Sequence, residues 1–163
     1  MKRILSWDRE KFYLEAYGGY LECLCNVRNL ENGKRGKNEI VRTIPDGVPY
    51  SPQRFPVGLW EIGEIEEKTD PYLAPFFINT DAWQWVLEWE IKDGLYVKRT
   101  DKWVKDTEYG IHYSTSPTTL GCLKILKETD LVWLVEKIRE SKDNGEAVYI
   151  SVTDGGNDYD NHW

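Results

Sequence analysis

The sequence predicts a single, mostly β domain, either a sandwich or a curved mixed sheet, with one main helix near the C-terminal end. Two observations indicate strands. Several stretches alternate apolar and polar residues, and Gly18-Gly19 and Asp93-Gly94 lie between such stretches as turn signals. The helix is indicated by apolar residues at helical spacing after residue 128. Because 163 residues is about the size of one domain, we expect a single domain at 1–153 and a flexible acidic tail at 154–163.

The first predicted hairpin covers residues 11–28, with its turn at Gly18-Gly19. In its second half Leu21, Cys23, Cys25 and Val27 fall on one side of a strand, which predicts that both cysteines are core residues. The chain has three cysteines, an odd and small number that argues against a disulfide framework.

Two irregular stretches and one strand follow. The polar run 29–38 predicts an exposed loop, and the four prolines within 45–56 predict a second irregular segment. Residues 57–66 predict a strand whose several glutamates form a solvated face, so we assign no chemistry to them.

A tryptophan stripe marks the strand predicted at 83–91. Its alternation puts these residues on one side: Trp83, Trp85, Leu87, Trp89 and Ile91. Such a stripe is either a core face or a platform on which sugar rings stack, and the apolar neighbours favour the core. Asp93-Gly94 then turns the chain into a strand at 95–99.

The helix is predicted to begin at Thr129, whose hydroxyl is suited to cap it, and to end at Asn144-Gly145. A strand at 147–152 follows. The residues at helical spacing, which should pack on the sheet, are Leu131, Leu134, Val135 and Ile138.

Charge and hydropathy exclude some classes of function. The formal net charge is −7 and the basic residues are dispersed, so we expect no nucleic-acid binding. No apolar run has the length of a membrane span, which predicts no membrane insertion. The start of the chain has no apolar run of signal-peptide length, so we expect synthesis in the cytoplasm without a signal peptide.

The chemistry points to residues 109–126, where His112 precedes Cys122 by ten positions across a Ser/Thr/Pro-rich loop. An imidazole can take the proton of a thiol and later return one to a leaving amine. Gly121 would let the backbone approach a substrate closely. The alternative is structural: a small buried thiol and a satisfied strand histidine. No cofactor or metal is expected, because a zinc site would need more ligands than these residues supply.

Residues 119–124, Thr-Leu-Gly-Cys-Leu-Lys, follow Ile111-His112 and resemble the active-site signature of the L,D-transpeptidase (YkuD-type) family. The resemblance is specific around the cysteine and extends over roughly 10–153. Four further stretches agree in order with the family: 11–28, 55–62, 128–140 and 146–152.

This resemblance implies a cysteine acyl-transfer enzyme that acts on peptidoglycan stem peptides at an L,D bond, as a transpeptidase, carboxypeptidase or endopeptidase. Cys122 would be the nucleophile and His112 the base, oriented by the backbone carbonyl of Tyr113. The amides of Gly121 and Cys122 would hold the oxyanion. The residues implied to line the substrate site are Lys124, Thr119 and Tyr109.

Leu120 stands where the family usually has a second histidine, and the loop before it is short, as in small phage-encoded relatives and secreted antibacterial effectors. We therefore expect action in the periplasm or cell wall after delivery, with a delivery or immunity partner. The rival interpretation is a non-catalytic, tryptophan-rich β domain that binds glycan or protein in a virion or secretion assembly.

Overall fold

The computed structural model describes residues 1–25, 42–43, 49–50, 53–93, 95–115 and 121–155. Within these residues the chain is mostly strand with one helix, α1 (Glu128–Asp143), as the sequence predicts. The strands are β1 (Lys2–Asp8), β2 (Tyr13–Ala16), β3 (Gly19–Leu24), β4 (Arg42–Thr43), β5 (Pro49–Tyr50), β6 (Gly58–Glu67), β7 (Phe76–Thr80), β8 (Gln84–Lys92), β9 (Leu95–Asp106), β10 (Gly110–Tyr113), β11 (Leu123–Ile125) and β12 (Ala147–Thr153).

Eight of these strands form what we call the closed sheet, in the order β1-β12-β6-β7-β10-β11-β3-β2, with β2 returning to β1. Two of its pairs are parallel, β1 with β12 and β10 with β11, and the others are antiparallel. The sheet is therefore mixed, as predicted, but it closes on itself and is not plainly a sandwich. The alternation in the sequence predicts which residues face inward, whereas closure depends on the pairing of distant strands.

The hairpin predicted within 11–28 is present, as β2 and β3, but its turn lies one position before the predicted Gly18-Gly19. Tyr17 and Gly18 both have positive φ angles, +50° and +77°, as a tight two-residue hairpin turn requires. Leu21, Cys23 and Cys25 are buried as predicted, and Val27 lies outside the described residues. This hairpin contributes directly to the core of the closed sheet.

The helix begins one residue earlier than predicted. Its N-cap is Lys127, which makes no side-chain cap hydrogen bond, so the assignment of Thr129 as the cap is wrong. Glu128 and Asp130 lie in the first turn, where their negative charges interact favourably with the positive end of the helix dipole. The predicted apolar stripe is confirmed, because four residues of the helix are buried in the core of the closed sheet: Leu131, Leu134, Val135 and Ile138.

A second sheet, the hairpin sheet, has the order β4-β5-β8-β9. The prediction that the tryptophan stripe of β8 faces a core is wrong for Trp83 and Trp85, which are exposed, and correct for Trp89, which is buried. The register of β8 against β9 shifts between Leu87 and Trp89. Such an irregularity breaks the two-residue period, so residues on one nominal side have different environments.

Asp154 and Gly155, the first residues of the predicted tail, are held by the body of the domain. The Asp154 carboxylate accepts a 2.8 Å hydrogen bond from Arg9, and the Gly155 amide donates to Asp8 at 2.9 Å. Among the described residues, the single helix is too short and polar to cross a bilayer. The predicted loop at 29–38 and the tail from 156 onward lie outside the described residues.

Candidate functional site

The parallel pairing of β10 and β11 brings the two halves of the resembling motif together. Ile111 pairs with Leu123, and both are fully buried in the core. His112 pairs with Lys124, so these side chains share the opposite face. Cys122 lies one residue before β11. Strand spacing of about 4.8 Å and a rise of about 3.3 Å per residue put its Cα roughly 8 Å from that of His112. Among the described residues no hydrogen bond joins the His112 ring to Cys122, whose Sγ lies against the Glu108 oxygen.

His112 is held in one orientation. Its Nδ1 lies 3.0 Å from the backbone oxygen of Tyr113, and its ring stacks on Phe77 with centroids 6.1 Å apart. Because a carbonyl oxygen can only accept, Nδ1 carries the proton in this contact, and the imidazole also has a backbone hydrogen bond with Tyr72. The contact expected of the Tyr113 carbonyl is therefore present.

Burial lowers the pKa of His112, which is only 8% exposed. The nearby positive charge of Lys124 lowers it further, while the backbone hydrogen bonds with Tyr113 and Tyr72 and the charge of Asp70 act in the opposite direction. The imidazole is therefore neutral near pH 7, which is the form that can accept a proton.

Cys122 is half-buried, unlike the other two cysteines. Its Sγ lies 3.9 Å from the backbone oxygen of Glu108, a residue with a positive φ of 72°. Burial, together with neighbouring Cys25, raises the pKa of Cys23 to about 12, which keeps that thiol protonated. Among the described cysteines, Cys122 is thus the one with the accessibility that a nucleophile needs.

Gly121 has a φ of +115°, and a Cβ there would lie 2.7 Å from the Gln53 oxygen and 2.8 Å from Cε1 of Tyr109. Only glycine fits this position. The close approach is therefore to the protein's own core, whereas the sequence predicts a close approach to a substrate. Gly121 therefore seats the segment that carries Cys122 against the domain.

Cys25 fixes the direction of the peptide that links Gly121 to Cys122. Its Sγ donates to the Gly121 oxygen at 3.3 Å and accepts from the Phe55 amide at 3.4 Å. In a trans peptide the N–H points away from the C=O, so the Cys122 amide points away from Cys25. The role of this amide as an oxyanion donor stays a prediction. The sequence predicts Cys25 only as an apolar core residue, and nothing in the Cys23-x-Cys25 spacing indicates this link.

Tyr109 lies in the core, 1% exposed, rather than at the wall of an open cleft. Its hydroxyl donates to Asp106 and accepts from Nε2 of Gln84 at 2.7 Å. Its ring lies beneath Gly121. Tyr109 therefore supports the Cys122 segment from below, and sequence reasoning missed Gln84 and Asp106 because they come from other strands.

Lys124, the residue expected to meet a substrate carboxylate, is only 2% exposed, and burial lowers its pKa. The positive charge of Lys124 instead acts on His112, where it lowers the pKa of the imidazole. Thr119 and Leu120 lie outside the described residues, so their contacts with substrate stay predictions. Among the described residues, no three His, Cys, Asp or Glu side chains are grouped as a metal site would need.

Comparisons with protein-family models, with curated proteins and with solved structures find no match to this chain. The resemblance to L,D-transpeptidases therefore stays a prediction from the motif residues.

Proposed function

We propose that the protein is a cysteine-dependent acyl-transfer enzyme that acts on peptidoglycan stem peptides at an L,D bond. The main support is the pairing of β10 with β11. His112, whose neutral imidazole is oriented by the Tyr113 carbonyl, pairs with Lys124. The half-buried Cys122 lies two residues before Lys124.

In the proposed first half-reaction, Nε2 of His112 takes the proton of Cys122, and Sγ bonds to the carbonyl carbon on the L-centre side, typically that of diaminopimelate. The amides of Cys122 and Gly121 donate to the oxyanion. Collapse breaks the C–N bond, and the proton on Nε2 goes to the departing amine of the terminal D-amino acid. A thioester remains on Cys122.

In the second half-reaction, water or an acceptor amine gives a proton to Nε2 and bonds to the thioester carbon, and the proton returns to Sγ. Leu120 makes no hydrogen bond through its side chain, whereas the histidine usual at that position can. Burial of Leu120 would stiffen the short loop and leave a more open, wetter cleft. Hydrolysis is therefore the expected main outcome, with Thr119 assisting substrate recognition.

The test is incubation of the protein with tetrapeptide-bearing muropeptides from several wall types under reducing conditions, followed by mass spectrometry. Wild-type protein should release the terminal D-amino acid, and Cys122→Ala should be inactive but folded. Cys23→Ala is the matched control and should keep its activity. Wild-type protein that leaves every muropeptide unchanged would contradict the proposal.

A second arm separates hydrolysis from transfer. The donor tetrapeptide is supplied with excess acceptor that contains diaminopimelate. Tripeptide should predominate if water is the main acceptor, and cross-linked or exchanged product would show that the argument from Leu120 is wrong.

One observation favours a second candidate, a non-catalytic module that binds glycan or protein. Trp83, Trp85 and Trp103 are exposed on the hairpin sheet, with Lys105 Nζ 4.7 Å from the centroid of the Trp83 ring. Exposed indoles are typical of recognition surfaces. Binding of wall polymer without turnover, retained in Cys122→Ala and lost in Trp85→Ala, would support this candidate.

Action on peptidoglycan further implies delivery to the periplasm or cell wall, as in a phage-encoded or secreted antibacterial protein. A producing cell would then need a delivery partner, and a protein partner that blocks the Cys122 site would serve as immunity.

A further inference from the structure

A groove crosses the outer face of the closed sheet where β12, β1, β2 and β3 lie side by side. Ser6 pairs with Ser151 on one side and Glu15 on the other, and Glu15 pairs with Tyr20. These four side chains form one row across four strands, all on the face opposite the core. The groove encloses about 220 Å³. None of its four strands carries His112 or Cys122.

Four polar side chains of the groove are open to a ligand. Within the described part of the chain, the side chains of Ser6, Glu15, Ser151 and Thr153 make no hydrogen bond or ion pair. Three of them are hydroxyls, which both donate and accept, and the fourth is a carboxylate, which accepts with two oxygens. The groove therefore offers several hydrogen-bonding groups: Ser6, Glu15 and Ser151 in the row, and Thr153 beside it.

Two tyrosines form the aromatic end of the groove. Tyr13 is 40% exposed and Tyr20 66% exposed, and their rings meet edge to face at 5.3 Å and 88°. The adjoining turn is fixed, because Trp7 Nε1 donates to the Lys11 oxygen at 3.1 Å and the Lys11 amide donates to the Asp8 oxygen at 2.8 Å. The groove thus combines an open ring face with a preformed polar row.

We propose that this groove binds one ring of a neutral saccharide. The C–H face of the sugar stacks on Tyr20, its vicinal hydroxyls donate to Glu15, and the hydroxyls of Ser6 and Ser151 satisfy its other oxygens. Pockets for drug-sized ligands usually exceed about 300 Å³, so a volume of this size suits a single ring. Two carboxylates, Glu15 and Asp8, and one ammonium, Lys11, line the groove, and this net negative charge opposes an anionic ligand. This site is independent of the proposed function.

The test is an NMR titration of the full chain with glucose, N-acetylglucosamine, the N-acetylglucosamine trimer and peptide-free glycan strands. Shifts should map to the four strands of the groove. Tyr20→Ala and Glu15→Gln should each weaken binding about tenfold, as expected for loss of a stacking or carboxylate contact of about 1.4 kcal/mol. Both side chains are on the surface, so circular dichroism should be unchanged.

The monosaccharides and the polymer distinguish the source of the sugar. Comparable affinity for a monosaccharide and for glycan strands indicates a site for one ring of any soluble sugar, whereas much tighter binding of strands indicates a wall-polymer site. Glucuronate is the charge control and should bind more weakly than glucose. The proposal is overturned if none of the neutral probes binds, if glucuronate binds best, or if Trp85→Ala rather than Tyr20→Ala removes binding.

Discussion

Trp7 in the closed sheet and Trp85 in the hairpin sheet both lie in strands whose side chains point alternately to two faces, but Trp7 is buried and Trp85 is exposed. Trp7 is 2% exposed, in a core that receives side chains from every strand of the closed sheet and from α1. Trp85 is 56% exposed, on a face where its described aromatic neighbour is Trp83. Alternation defines two faces of a strand, and the tertiary structure decides which face is covered. Among its described side chains, the hairpin sheet has a small buried cluster of Val86 and Trp89, with the partly buried Val104 packed against it.

The largest expected effect comes from making the same substitution in both regions. Trp7→Ala removes a fully packed indole and should lower the free energy of unfolding by about 3 to 5 kcal/mol. Trp85→Ala removes an exposed indole and should change it by no more than about 0.5 kcal/mol. Urea unfolding followed by circular dichroism measures both. Equal losses would mean that the hairpin face is covered in solution.

Trp89→Ala sharpens the comparison within β8 itself. Trp89 is 1% exposed beyond the register shift, so its loss should cost about 3 kcal/mol, near the lower end for a core tryptophan because its cluster is small. Trp83→Ala, before the shift, is the matched control. If Trp83→Ala costs as much as Trp89→Ala in the same urea titration, the shift does not separate the two environments.

Gly121→Ala tests how tightly the Cys122 segment is held against the closed sheet. The new Cβ would meet the Gln53 oxygen and the Tyr109 ring at a positive φ, so a loss of about 1 to 3 kcal/mol is expected. Gly63→Ala in β6 is the control, because its nearest contact would be an ordinary 3.8 Å and its φ is not positive. Thermal unfolding of the two variants should therefore diverge. Equal midpoints would show that the segment is free to move.

The smallest expected effect on stability is the pH dependence that His112 contributes to the closed sheet. Its folded-state pKa is lowered by burial, so the unfolded chain binds this proton more readily. Stability should fall as the pH drops below about 6.5, the ordinary histidine value, and this contribution should level off below the folded-state pKa. Urea unfolding at about pH 7.5 and about pH 5.5 should show a shallower loss in His112→Asn than in wild-type protein. Identical slopes would mean that the ring is not buried as neutral imidazole.

Local patterns predicted much of the fold. The first hairpin (to within one residue at its turn), the buried face of the helix and the final strand were all predictable, because each depends on residues close together in the sequence. The closure of the sheet was not, since β1 must pair in parallel with β12 at the other end of the chain. The exposure of Trp85 was not predictable either, because no local pattern reveals what packs on a strand face.

The same distinction applies to the candidate site. His112 and Cys122 were recognised from a short motif, and the Tyr113 contact follows from its adjacency in sequence. The link from Cys25 to Gly121 spans many residues and depends on the pairing of β3 with β11. Lys124 and Tyr109 were expected to contact substrate, but both are buried, because the position of a residue in the sequence does not show how deeply its side chain is buried.

The most direct test of the account is the alkylation rate of each cysteine near neutral pH, measured with iodoacetamide and peptide mapping by mass spectrometry. If His112 is the base for Cys122, Cys122 should react much faster than Cys23 in the folded wild-type protein. The same reaction should slow about tenfold or more in folded His112→Ala, since the thiol loses the base that accepts its proton. A Cys122 that reacts no faster than Cys23, or at an equal rate with and without His112, would contradict the account.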